Sequence, residues 1–161
     1  MKRVVEIAKA TRFIENAREN PYIEAAELTV LPPDNLIAGG FPVENVRIFG
    51  DLARPTVQLI GGRNREWKHV YRRWGLELCL WTPLPEEPDV LQWQPEDGWE
   101  QLFLIIQRHL VLEELARRTG RWVAEDAHGT PGHYSPGEYR PPTRQLVGRA
   151  RRWRPPNGKA V

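Results

Sequence analysis

Ile23-Glu24-Ala25-Ala26-Glu27-Leu28-Thr29-Val30-Leu31, stopped by Pro32-Pro33, is the stretch whose reading decides the fold. It lacks Gly and Pro inside, ends on β-branched and aliphatic residues, and is closed by residues that cannot donate to a ladder; it reads as a strand. On its N-terminal side, Val4, Val5, Ala8, Phe13, Ile14 and Ala17 fall roughly at helical spacing, which predicts an amphipathic helix over residues 2–19. Asn20-Pro21 ends it, because proline disfavours helix in the residue before it. On the C-terminal side, Gly39-Gly40 marks a turn and Phe41 to Phe49 alternates, with a phase slip at Asn45 that predicts a bulge. Thr56-Val57-Gln58-Leu59-Ile60, closed by Gly61-Gly62, is a third strand. Trp67 to Trp99 is rich in tryptophan and proline and reads as mostly irregular. Asp97, with Glu100 three residues on, predicts a capping box opening a helix whose stripe is Trp99, Leu102, Phe103, Ile106, Leu110 and Leu115. That helix runs to about Arg118, with Gly120 as its C-cap. A helix, three or four strands joined by short turns, a long loop and a helix make an α+β fold: an antiparallel meander covered by helices from both ends.

The 161 residues suit one domain with a tail. A single cysteine excludes an intrachain disulfide and any zinc site built on two or more cysteines of one chain. No run of about 18 apolar residues exists, so no spanning helix is expected. Met1-Lys2-Arg3-Val4-Val5-Glu6 is broken by charge too early for a secretory leader, and the expected compartment is the reducing cytoplasm. The net charge of +2 divides unevenly: residues 129–161 carry +6 and residues 1–128 carry −4. The division assigns 1–128 to the folded domain and 129–161 to a basic, Pro/Gly-rich C-terminal tail. The tail is either solvated, or wrapped on the body through Tyr134, Tyr139 and Trp153, or an arm whose arginines and Trp153 meet nucleic acid or an acidic partner.

Cys79 lies in Leu76-Glu77-Leu78-Cys79-Leu80-Trp81. A lone cysteine is either a small buried hydrophobe or, beside a base in an electropositive setting, a nucleophile. His69 stands ten residues upstream among Lys68, Arg72 and Arg73. Three elements then recur in order: His69-Val70-Tyr71, Leu78-Cys79-Leu80-Trp81, and Thr119-Gly120-Arg121-Trp122 followed by Glu125 and His128. Over about residues 24–128 this pattern resembles ubiquitin-conjugating enzymes. It is most similar to the bacterial stand-alone type found in antiphage (CBASS) operons with a cGAS-like nucleotidyltransferase. The chain departs from the eukaryotic pattern where Tyr71 replaces an asparagine and Val70 a proline, and where Thr82 to Pro95 lengthens the loop before the helix.

The resemblance implies a ubiquitin-conjugating-enzyme-like fold with a long active-site loop. It also implies that Cys79 accepts an activated protein C-terminus as a thioester and passes it to an amine, in antiphage defence. Cys79, His69 and Tyr71 are then the catalytic-site residues, His69 mostly bracing the loop. Backbone amides near Cys79, or the Tyr71 hydroxyl, stabilise the oxyanion. Glu77, Glu86, Glu87 and Asp89 are equal candidates to deprotonate the amine. The implied partner is a cGAS-like nucleotidyltransferase or a ubiquitin-like protein, engaged through its C-terminus. No Gly-rich nucleotide fingerprint occurs, so either an activating enzyme acts in trans or the acyl donor arises another way, and no cofactor is expected. Glu125, His128 and His133 lack a fixed metal-ligand pattern, and no metal is expected. The tryptophans Trp67, Trp74, Trp81, Trp93 and Trp99 read as loop and core packing. The competing readings are a catalytically inactive adaptor of the same fold and a basic nucleic-acid-binding module.

Overall fold

The first helix, α1 (Lys2–Ala10), buries Val4, Val5 and Ala8. It stops well short of residue 19. Thr11 takes an extended backbone, and its hydroxyl donates to the Ile7 carbonyl at 3.0 Å. The computed structural model describes residues 1–53, 55–72, 75–80 and 93–122. After Thr11 comes not more helix but a strand, β1 (Ile14–Glu19), paired antiparallel with β2 (Ala25–Val30). The register shifts between Ile14 and Asn16, so the inward side chains are Ile14 and Ala17, three residues apart. A bulge thus gives this strand the spacing of a helix. Asn20 closes β1 with its side-chain oxygen, which accepts the N–H of Tyr22 at 2.9 Å and of Ile23 at 3.2 Å.

A four-residue helix, α2 (Asp34–Ile37), and a turn at Gly40 lead into β3 (Glu44–Phe49). The expected bulge in this strand is absent: β2 and β3 pair without a slip from Ala25↔Phe49 to Val30↔Glu44. Val43 lies outside the strand and is exposed, while Glu44, Val46 and Ile48 point inward. Glu44 tolerates its slot because the Arg65 guanidinium lies 2.5 Å from its carboxylate. Next come β4 (Thr56–Leu59), β5 (Val70–Tyr71) and β6 (Glu77–Leu78). The last two run through the segment expected to be irregular. The six strands make one antiparallel sheet in the order β1-β2-β3-β4-β6-β5. Beyond β4, the indole N–H of Trp67 donates to the Gly62 carbonyl at 2.8 Å. Gly62 has φ +68, and a Cβ there would lie 3.0 Å from the Trp67 ring, so a side chain would be strained and would press on the indole.

The second long helix, α3 (Gly98–Thr119), buries Trp99, Leu102, Phe103, Ile105, Ile106 and Leu110 in the same core as α1 and the inward sheet residues. Both helices therefore cover one face. On the other face the register lines up Arg18, Glu27, Arg47, Gln58 and Glu77 across five strands. The expected Asp97–Glu100 capping box does not form. Asp97 ends a 3₁₀ turn (Pro95–Asp97), and its carboxylate accepts the Gln94 N–H at 2.8 Å instead. Gly120 caps α3 in the left-handed conformation as expected. The boundary between residues 128 and 129, and the whole tail, lie outside the described residues.

Candidate functional site

β5 and β6 form a two-stranded ribbon in which Val70 faces Leu78 and Tyr71 faces Glu77. The pairing extends one step further, because the Cys79 N–H donates to the His69 carbonyl at 3.0 Å. His69 and Cys79, ten residues apart, thus stand opposite one another. Leu78 and Leu80 are buried, so the period of two turns Glu77 and Cys79 to the other face. Both are half-buried. Diagonally across the ribbon, the Tyr71 hydroxyl lies 3.2 Å from the Cys79 sulfur, the thiol donating to it. Once the sulfur is a thiolate or a thioester, the same hydroxyl becomes a donor.

The surroundings of His69 brace it. Its N–H donates to Glu113 Oε1 at 2.5 Å, and the neighbouring Lys68 N–H donates to Oε2 at 2.8 Å. Its carbonyl also accepts from His109 Nε2 at 3.1 Å, which fixes that imidazole as the Nε2–H tautomer. Its ring stacks on Trp122 with centroids 4.0 Å apart and planes 18° from parallel. Trp122 is aimed there by the end of α3. Gly120 reverses the chain in the left-handed region, and the Thr119 hydroxyl donates to the Leu115 carbonyl at 2.8 Å. The three sequence elements meet at His69.

Burial sets the charges around this brace. Enclosure pushes the Glu113 carboxyl up from its ordinary value, opposed by the two N–H groups and by Arg117 and Lys68. Burial, and after it the neighbouring His69, pull His109 down to about 3, so it is neutral at physiological pH. Glu77, beside Cys79 on the ribbon face, is pushed up by burial.

The arrangement narrows the chemistry. The Cys79 amide is committed to the His69 carbonyl, so it is not an oxyanion donor. The Tyr71 hydroxyl, also named for that role, is within hydrogen-bond reach of the sulfur. Among the four acids proposed to take the amine proton, Glu77 shares a face with Cys79. Glu86, Glu87 and Asp89 lie outside the described residues, as do Trp74, Trp81, Glu125, His128 and His133. Trp67 is packing, as expected, held between the guanidinium groups of Arg65 and Arg117, each 4.9 Å from its ring centroid. Sequence reasoning missed Glu113 and His109. Their one signal is phase: both fall on the buried stripe of α3, between Ile106 and Ala116. Among the described residues no helix is long and apolar enough to cross a membrane. No protein-family model, curated protein or solved structure matches the chain.

Proposed function

We propose that the chain is a thioester-forming conjugating enzyme with Cys79 as nucleophile, of the ubiquitin-conjugating-enzyme-like type that stands alone in CBASS antiphage operons. One observation carries the reading. The three elements of the resemblance meet in one place: Tyr71 touches Cys79 and His69 pairs with Cys79 across a local ribbon, and Trp122, over fifty residues further on, stacks on His69. The order of helix, antiparallel meander, loop and helix agrees with that fold.

In this reading the Cys79 thiolate attacks the carbonyl of an activated protein C-terminus. The activating group leaves, and an acyl thioester remains on the sulfur. The Tyr71 hydroxyl donates to the oxyanion of the tetrahedral intermediate. A lysine amine then attacks the thioester. The one proton that the nitrogen loses passes by way of a carboxylate such as Glu77 to the departing thiolate, and an isopeptide bond forms. The acyl donor is the C-terminus of a cGAS-like nucleotidyltransferase or of a ubiquitin-like protein, activated in trans, in the cytoplasm. No cofactor enters these steps.

The test co-expresses wild type and Cys79→Ala with the nucleotidyltransferase or ubiquitin-like protein that the chain's own genomic neighbourhood encodes. A thiol-labile adduct on non-reducing gels, absent with Cys79→Ala, is the expected result. Equal binding of the partner by both forms with no adduct contradicts it and leaves the inactive adaptor. A nucleic-acid role for the tail is a separate matter, since Arg140–Arg154 lie outside the described residues.

A further inference from the structure

Glu113 is fully buried, and both its oxygens are engaged by the backbone of one loop, Oε1 by the His69 N–H and Oε2 by the Lys68 N–H. One turn earlier on α3, His109 holds the carbonyl of the same His69. That carbonyl also accepts the N–H of Cys79. A line of hydrogen bonds therefore runs from a helix carboxylate, through the His69 residue, to the amide of the residue that carries the thiol. An enclosed carboxylate is destabilising unless its partners are well placed, and an apolar side chain would fill this helix position without that penalty. A carboxylate uniquely supplies two acceptors to two adjacent N–H groups. Glutamine has one acceptor and sets its amide against the other N–H.

We propose that Glu113 is a positioning residue for Cys79. Its carboxylate fixes the Lys68–His69 backbone, the His69 carbonyl fixes the Cys79 amide, and the sulfur is thereby held against the Tyr71 hydroxyl. The purpose of this clamp rests on the acyl-transfer reading; its geometry does not. The titratable groups facing Glu113 are His109 and Arg117 on α3, and Lys68 and His69 from the loop before β5. Protonation places a hydrogen on one oxygen and removes one of the two acceptors, so the clamp loosens in acid. Burial brings that change to a higher pH than an exposed glutamate would show.

Two measurements on the full chain test this. The first is amide hydrogen exchange of wild type and Glu113→Gln between about pH 8 and about pH 4, expressed as protection so that intrinsic rates cancel. In wild type, protection at Lys68, His69 and Cys79 falls together on acidification by about tenfold, the worth of one charge-assisted hydrogen bond. Protection at Leu28 and Val46 in the sheet shows no such step. In Glu113→Gln it is low at the three loop positions throughout. The second is the rate at which Cys79, the one thiol, is acylated by a short peptide thioester, compared with its alkylation by iodoacetamide. Expressed per thiolate, Glu113→Gln slows acylation by about tenfold, because that step needs the positioned Tyr71 donor, and leaves alkylation unchanged. Wild-type protection at Cys79 in the variant, or equal slowing with both reagents, overturns the proposal. If the variant does not fold, the wild-type step decides alone, and its absence at Cys79 overturns the proposal. If the step is present but wild type is not acylated, the clamp stands and the acyl-transfer reading fails.

Discussion

The sulfur and the amide of Cys79 answer to different partners, the Tyr71 hydroxyl and the His69 carbonyl. This separation makes Tyr71 testable by itself. Tyr71→Phe keeps the ring and removes the donor, so acylation of Cys79 by a peptide thioester is expected to slow by about 100-fold, the scale of one lost oxyanion donor. Alkylation by iodoacetamide, which develops no oxyanion, is expected to stay unchanged when both rates are expressed per thiolate, since the lost hydroxyl is also the thiolate's donor. Single-turnover rates read by intact mass check both, and an unchanged acylation rate removes Tyr71 from the mechanism. That His69 and Tyr71 lie beside Cys79 was legible in the sequence, because all three sit in short motifs at the spacing of the resemblance. Glu113 and His109 were not. They act on backbone N–H and C=O groups, which every residue has, so their partners on the loop leave no mark in the sequence.

The β5–β6 ribbon is four residues of regular strand, and its position depends on what is packed around it. Strands of two residues have no period to read, which is why the stretch after Trp67 looked irregular. The bulge in β1 misleads in the opposite way, since it brings Ile14 and Ala17 inward at helical spacing. The α3 helix was legible from its stripe and its Gly120 cap, and β2 and β4 from their flanking Pro and Gly. Two substitutions separate what α3 does for stability from what it does for the site. Phe103→Ala opens a cavity in the fully buried core and is expected to lower unfolding free energy by about 3–5 kcal/mol in urea titration. Gly120→Ala meets no neighbouring atom, and forces an ordinary residue into the left-handed region at about 1 kcal/mol. Because Gly120 aims Trp122 at His69, this milder change is expected to alter the chemical shifts of His69, which Phe103→Ala at matched stability does not require.

At the scale of the whole molecule, Glu27, His109 and Glu113 each contribute to the response to acid. Glu27 is held down to about 2, chiefly by Arg47, then Asn20 and Arg18, so its contribution is complete above its ordinary value of 4.5 and is lost as pH falls toward 2. His109, depressed to about 3, stabilises above 6.5, and that contribution is lost as pH falls toward 3. Glu113 has the opposite sign. Its raised value makes the protonated form the favoured one, so it favours folding below 4.5, and this contribution falls as pH rises through its folded value. His109→Gln keeps a donor for the His69 carbonyl and removes the titration. It is expected to flatten the decline of melting temperature between about pH 6.5 and pH 3, and an unchanged slope contradicts the assignment. The α+β class, with a helix before and a helix after the strands, was legible from periodicity and punctuation, whereas β1 and the sheet order, which folds β6 in between β4 and β5, depend on pairings that only the assembled structure fixes. The central claim, that Cys79 carries an acyl group, is tested most directly by trapping it. Cys79→Ser, co-expressed with the neighbouring nucleotidyltransferase or ubiquitin-like protein, is digested and its residue-79 peptide sequenced by tandem mass spectrometry. The account predicts an oxygen ester joining Ser at position 79 to the partner's C-terminal residue, stable to thiols and cleaved by hydroxylamine; an unmodified residue-79 peptide, under conditions where the partner is bound, contradicts it.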